Sequence, residues 1–446
     1  MKTLKYILFA VASLFLLQGC NDNDWSTSFA DDELPKIYMN NWTATQAVNL
    51  GTILKWEPIV SPSDGATFRW TKNGEVISEE KDFEYTVEEQ GEFELKFEVT
   101  RNGISTHRAT TIIGTKPFVP KSYNKKVIAY IDAMEGTLSD VNWEAVTHIV
   151  VSSAIVNADG DIDLNFTGST LDIDNLIALA HNNGIYVSLQ IAGEHVALNG
   201  LPAWGSFNFY ETIKDEAKRN ALVDKVLKYI TEKEMDGIDI YMDKAHDGAF
   251  DKPAALQEFY EYLAGKAPEK SAIGFDFFLS TSAVVGWTRD ANLSFATMPH
   301  YDWISILAFA QEDLTPIPHS SVWSCSDNAA FWADKGAPSE KIIIACPAFS
   351  IKYDLQEKTP TWGDLHLYTQ YNTYRDLLAN HPDAYQVNSM NVADGIFYDG
   401  FPAIEEKAQI VINNNYGGLA LWKCGYDTSD KTKSLIVKIN SALNNQ

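Results

Sequence analysis

The stretch Met235-Asp236-Gly237-Ile238-Asp239-Ile240-Tyr241-Met242-Asp243 follows a helix-like run ending at Lys233-Glu234, and apolar and polar residues alternate along it. A period of two marks a β-strand, whose successive side chains point to opposite faces. Asp239, Tyr241 and Asp243 therefore share one face, and Ile238, Ile240 and Met242 the other. Polar groups on the inside of a strand are costly unless they are hydrogen-bonded or functional. In a parallel barrel the groups that meet a ligand stand at the C-terminal ends of the strands, which here means Asp243. The alternative is a half-exposed edge strand with its acids in water. Apolar strand and helix segments on either side favour the buried reading.

Working outward, strand and helix signals alternate from Lys126 onward, the pattern of a parallel α/β fold. Eight strand segments are expected, at 127–132, 147–153, 185–191, 237–242, 272–279, 303–309, 341–346 and 418–422. Helical runs separate them, such as 171–182, with Gly184 as a stop, and 214–234. Eight strands over residues 126–446 fit a (β/α)8 TIM barrel with insertions. A doubly wound open sheet is the alternative, weakened because no Gly-rich phosphate loop follows any strand.

The central stretch resembles the signature strand of family 18 glycoside hydrolases, the chitinases and endo-β-N-acetylglucosaminidases, whose pattern is Asp-Gly-x-Asp-x-Asp-x-Glu. Asp236, Gly237 and Asp239 match it, Tyr241 stands where the family has its acetamide-orienting Asp, and Asp243 stands where it has the catalytic Glu. Gln190-Ile191-Ala192-Gly193 resembles the family's Ser-x-Gly-Gly after the third strand. Tyr301 to Ala310 aligns with a sixth strand that ends in Met-x-Tyr-Asp. Gly417-Gly418-Leu419-Ala420-Leu421-Trp422 is similar to the last strand, whose Trp floors the innermost sugar subsite.

Residues 33–114 read as all-β, with short alternating segments separated by turn chemistry such as Lys72-Asn73-Gly74 and Arg101-Asn102-Gly103. This suggests an immunoglobulin-like β-sandwich, and the run from Phe68 to Ser78 with Glu89-Gln90-Gly91-Glu92-Phe93 resembles a PKD-like module. Trp70 is its expected core anchor. Residues 115–125, with Thr115-Lys116-Pro117-Phe118-Val119-Pro120, read as a Pro-braced linker.

At the start, Lys2 and Lys5 precede an apolar run too short to span a membrane as a mature helix, and Leu17-Gln18-Gly19-Cys20 resembles a lipobox. Residues 1–20 are thus expected to be a lipoprotein signal with Cys20 as the lipidation site; an ordinary signal peptide is the alternative. The acidic tether 21–32 resembles tracts associated with surface display, which implies an outer-membrane protein facing the cell exterior and touching the membrane only through its lipid. The net charge of −25 argues against nucleic acid or an anionic membrane surface as a partner. After Cys20, three scattered cysteines remain, which make no disulfide framework, and no Cys/His spacing suggests zinc. No metal and no cofactor is expected. Asn157-Ala158-Asp159-Gly160-Asp161-Ile162-Asp163 lacks a Gly and a Glu at EF-hand spacing and reads as a solvated turn.

The family resemblance implies substrate-assisted catalysis, in which the substrate's own acetamide attacks the anomeric carbon while a carboxylic acid protonates the leaving oxygen. Asp243 in place of Glu withdraws that acid by about 1.5 Å, and misplacement of about 1 Å can cost on the order of a hundredfold in rate. Tyr241 removes the charge facing the developing oxazolinium, Phe309 replaces the family's Tyr, and Ala310 the Asp after it. Together these changes argue for a barrel that no longer cleaves but still holds sugar. Asp236, Asp239, Tyr241, Asp243, Phe309, Trp422, Trp287 and Trp204 are the expected substrate-binding residues. Trp204, Trp287, Trp323 and Trp362 follow strand segments and are either sugar platforms or core. The expected partners are N-acetylglucosamine-containing glycans and the importer components of a polysaccharide-utilisation locus. The competing reading is an active endo-acting glycosidase using Asp243, Glu194 or Glu312 as proton donor.

Overall fold

The computed structural model describes residues 34–40, 42–193, 195–198, 201–204, 207–242, 253–284 and 295–444. The chain divides into two compact units between Gly114 and Thr115.

The first unit is built from antiparallel sheets. A five-stranded sheet runs in the order Thr45–Asn49, Ile104–Thr115, Gly91–Arg101, Thr67–Lys72, Glu75–Ser78, and two strand pairs accompany it. Asn102 and Gly103, both with positive φ, join its two longest strands in the tight turn that such a dipeptide favours. Alternation along Gly91–Arg101 buries Phe93, Leu95, Phe97 and Val99. They pack around Trp70, which is fully buried, lies 4.6 Å from the Phe97 ring and 5.4 Å from that of Trp56, and donates its indole N–H to the Lys81 carbonyl.

The second unit is a closed barrel of eight parallel strands: β1 Lys126–Asp132, β2 His148–Val156, β3 Tyr186–Ala192, β4 Gly237–Met242, β5 Phe278–Val284, β6 Trp303–Leu307, β7 Ile342–Pro347 and β8 Gly418–Trp422. Each pairs with the next, and β8 closes onto β1, with Lys126 opposite Gly418 and Tyr130 opposite Trp422. Closure leaves no unpaired edge, so an edge-strand or open-sheet reading of β4 is excluded. Two glycines mark close approaches. A Cβ on Gly237 would stand 2.5 Å from the Phe278 ring, and one on Gly418 would stand 2.0 Å from the Lys126 carbonyl oxygen.

The period of two divides the strand side chains into two clusters. Val127, Ala129, Ile131, Ile238, Ile240, Met242, Leu419 and Leu421 face outward into the layer shared with the helices. Ile128, Tyr130, Tyr241, Ala420 and Trp422 face inward. Helices Ile173–Asn182 and Glu216–Lys233 begin two residues inside the expected runs, set there by Asp172 and Asp215, which accept the N–H groups of Asn175 and Lys218.

Two sequence readings shift. The fifth strand lies later than 272–279, because Ser271 donates its backbone N–H to Phe275 and Gly274 adopts φ +83, so the apolar run folds into a turn. The strand itself carries the polar run Ser280-Thr281-Ser282, which hides its periodicity. The stretch expected as a linker, 115–125, packs on the barrel's N-terminal end: the Phe118 ring meets His181, Tyr186 and Phe275 at 5.0–5.3 Å, and the Lys121 N–H bonds the Gly184 carbonyl. After β7 the chain also builds a small antiparallel sheet in the order Thr369–Thr373, Phe349–Tyr353, Gly395–Phe397, Ser389–Met390. It forms one wall beside the barrel mouth.

Candidate functional site

The deepest polar group is Asp239, fully buried on the inner side of β4. One carboxylate oxygen accepts from the Gln190 amide at 2.8 Å and from Ser282, and the other accepts from Ser280 at 2.7 Å. Gln190 on β3 also donates to Ser282 and in turn accepts from the Ser153 hydroxyl on β2 at 2.5 Å. Tyr130 on β1 completes the layer, its hydroxyl 3.1 Å from Ser282. Burial pushes the Asp239 carboxyl above its usual range despite these donors, and burial with the nearby Asp239 charge pushes the Tyr130 phenol well up. The layer supplies a fixed, fully buried acceptor.

Above it lies an aromatic layer. Tyr241 and Trp422 are near parallel, ring centroids 6.1 Å apart at 29°. Tyr130 meets Trp422 at 4.9 Å and Phe309 meets it at 6.1 Å. Only 6% of Tyr241 and 7% of Trp422 is exposed, so the ring expected to carry a sugar is itself largely covered. Beside it Lys423 forms a buried ion pair with Asp132, whose other oxygen accepts the N–H groups of Met134 and Glu135. Burial raises the Asp132 carboxyl, but the Lys423 ammonium and these N–H groups outweigh it and hold it below the usual carboxylate range. The pair joins the ends of β1 and β8 next to the aromatic floor.

The outer wall comes from the loop after β6 and from the small sheet. Phe309 meets Phe349 edge-on at 5.8 Å, and Phe349 meets Tyr371 at 5.8 Å. The Tyr371 hydroxyl donates to the Glu312 carboxylate at 2.9 Å.

The expected residues do not all gather here. Asp239, Tyr241, Phe309 and Trp422 do. Asp236 does not: it precedes β4 at the barrel's N-terminal end, fully buried, accepting the Val187 N–H at 2.8 Å and facing the His181 ring nitrogen at 2.9 Å. It ties β3 and a helix to β4 rather than lining the mouth. Asp243, Trp287, Cys20 and the alternative acid Glu194 lie outside the described residues. Trp204 ends a two-stranded hairpin with His195–Leu198. Trp323 and Trp362 are 74% and 66% exposed and pack no core. Cys325, Cys346 and Cys424 are buried free thiols. In the Asn157 turn the Asn side chain accepts the N–H groups of Asp159 and Asp161, and Lys225 pairs with Asp161. Ser280, Ser282, Lys423 and Tyr371 were not anticipated; the uniformly polar run Ser280-Thr281-Ser282 carries no alternation to mark which of its residues face inward.

This order of motifs, with an inward acid on β4 and the terminal Trp on β8, agrees with a family model: residues 126–427 match glycosyl hydrolases family 18. The chain belongs to glycosyl hydrolases family 18. Residues 35–101 match a PKD-like domain. The family 18 region is 25% identical over 324 residues to a Caenorhabditis elegans protein named "Probable endochitinase", covering 63% of this chain and 51% of that protein. The chain therefore spans about half the length of that relative. A chitinase from Bacteroides thetaiotaomicron superposes with a TM-score of 0.58 at 18% identity, covering 72% of this chain and 96% of that one. The GH18 chitinase of a chitin utilization locus in Flavobacterium johnsoniae gives 0.56 at 19% identity, covering 72% and 94%. At such identities the superpositions establish the fold.

Proposed function

We propose that this protein is a lipid-anchored glycan-binding member of family 18 that has lost hydrolysis. In this reading it faces the cell exterior and captures N-acetylglucosamine-containing glycans, of N-glycan or chitin type, for uptake through outer-membrane importer components. The observation that carries the reading is Tyr241. Where the family pattern has a carboxylate to hold the acetamide, an uncharged and almost fully buried ring packs beside Trp422, with centroids 6.1 Å apart. No charge remains at that position to stabilise an oxazolinium. The family membership and the neighbour from a chitin utilization locus support the glycan class. Exposed Trp323 and Trp362, on segments following barrel strands, support sugar contact outside the deep pocket.

The test is an overnight incubation of protein lacking residues 1–20 with a high-mannose glycoprotein and with chitin oligomers. Calorimetry would read binding and mass spectrometry would read cleavage. Micromolar-range binding without product is expected. Released oligosaccharide that disappears in Asp243→Ala would restore the enzyme reading. Failure to bind any such glycan would remove the capture role. Loss of lipid labelling in Cys20→Ala, with protease accessibility on intact cells, tests the anchoring.

A further inference from the structure

The family pattern places a Tyr and an Asp together at the end of the sixth strand, and this chain has Phe309 and Ala310 there. A phenol and a carboxylate are nevertheless present on the same wall, supplied by other residues. Glu312 lies two residues beyond Ala310, and Tyr371 comes from the small sheet after β7, its hydroxyl 2.9 Å from the Glu312 carboxylate. The ring of Tyr371 continues the aromatic path from Trp422 through Phe309 and Phe349.

The loop that presents Glu312 is pinned. Ala310 turns the chain with φ +55, its N–H reaching the His319 ring, while Gln311 bonds the His319 carbonyl through its backbone and Ser324 through its side chain. His319 is wholly buried, and burial with the Lys407 charge lowers its pKa to about 3, so its ring is a neutral acceptor. Glu312 and Tyr371 are both only partly buried, and among the described residues Tyr371 is the one hydrogen-bond partner of Glu312, through a single carboxylate oxygen.

We infer that Glu312, oriented by Tyr371, is the polar grip of a glycan site moved outward from the buried Tyr241 and Trp422 rings. Its free carboxylate oxygen accepts hydrogen bonds from the hydroxyl and acetamido N–H groups of a bound N-acetylhexosamine. This rests on the glycan-binding reading above. A carboxylate fits because sugars present chiefly O–H and N–H donors, and an ionised acceptor makes stronger bonds than a neutral one. Tyr371 suits the orienting role: burial, then the Glu312 charge, push its phenol far up, so it stays a donor.

Calorimetry of the mature protein with the N-acetylglucosamine tetramer of chitin tests this. Glu312→Ala should weaken binding about ten- to a hundredfold, the range expected for one charge-assisted hydrogen bond. Tyr371→Phe, which frees the carboxylate but leaves it charged, should weaken it severalfold. Glu312→Gln, which keeps an acceptor for Tyr371, should fall between wild type and Glu312→Ala, an ordering that a merely structural role would not produce. Should wild type and all three variants bind equally, the inference is overturned and the glycan-binding reading stands. Should wild type itself bind no glycan, both fall.

Discussion

Replacing Tyr241 with Ala removes a ring packed beside Trp422, and the structure gives the change two opposed consequences. Tyr241 is 6% exposed and packs in the inner aromatic cluster, so its loss opens a hole. Deleting a buried aromatic side chain costs about 3–5 kcal/mol. Tyr241 is the penultimate residue of β4, at the end that faces the mouth, where water can enter the space, so the lower limit applies. For a unit as large as residues 115–446 each kcal/mol shifts the melting temperature by roughly 1–2 °C, so about 3 kcal/mol lowers it by about 3–6 °C. The same deletion opens space beside Trp422. A short chitin oligomer can then lie where the phenol was, so the variant should bind the dimer more tightly than wild type does. Ligand at a hundredfold over its dissociation constant returns about 2.7 kcal/mol, nearly the whole loss. Thermal melts with and without the dimer, together with calorimetry, read both effects. A variant that binds the dimer no better than wild type, or less well, would refute the argument that Tyr241 fills the inner subsite.

Three further outcomes follow from other parts of the barrel. The folded-state carboxyl of Asp239 is raised by burial, so the native state holds its proton more tightly than the unfolded chain does. Its contribution to stability therefore falls as pH rises through about 4 toward the raised value. Asp239→Asn should be at least as stable as wild type at pH 7, with the difference vanishing near pH 3, as read from denaturation midpoints across that range. Lys407 and Asp399 form a fully buried pair at 2.5 Å, with Ser320 as the second partner of the ammonium at 2.7 Å. Lys407→Met leaves a buried carboxylate unpaired and should cost about 3–5 kcal/mol in chemical denaturation. Lys407→Met with Asp399→Leu should recover most of it, and no recovery would show that the pair is not the cause. Trp362 is 66% exposed, so Trp362→Ala should change stability by no more than about 0.5 kcal/mol while weakening a chitin hexamer more than a dimer. Equal effects on both oligomers would place Trp362 outside any extended site.

The fold was legible because its signal is local. Each barrel strand is a short apolar or alternating run, and the periodicity that put Asp239 and Tyr241 on one face of β4 is what the inner cluster displays. Legibility failed where tertiary contact overrides pattern. Ala272-Ile273 has the composition of a strand, yet Gly274 turns the chain and Phe275 packs beneath the barrel on Phe118. Residues 115–125 have the composition of a linker, yet Phe118 finds an aromatic niche that no local rule predicts. In the site, Lys423 meets Asp132 across 291 positions and Tyr371 meets Glu312 across 59. Neither spacing carries a motif, and only barrel closure and the placement of the small sheet bring the partners together.

The family motif divides along a physical line. Asp236 accepts the Val187 N–H and meets His181, so its loss would orphan buried groups at the base of β4. Gly237 lies so close to Phe278 that a Cβ would clash. Asp239 is the acceptor for Gln190, Ser280 and Ser282, three buried donors that an apolar residue would leave unsatisfied. All three have folding duties, and all three match the pattern. Positions 241 and 309 lie nearer the mouth, and rings there are accommodated by packing on Trp422. They depart from the pattern, as do 310 and 243. Under the proposed non-catalytic reading, the positions that fold the barrel are kept and those near the mouth are free to differ. The matching half of the signature therefore reports the barrel, and the departing half bears on the reaction.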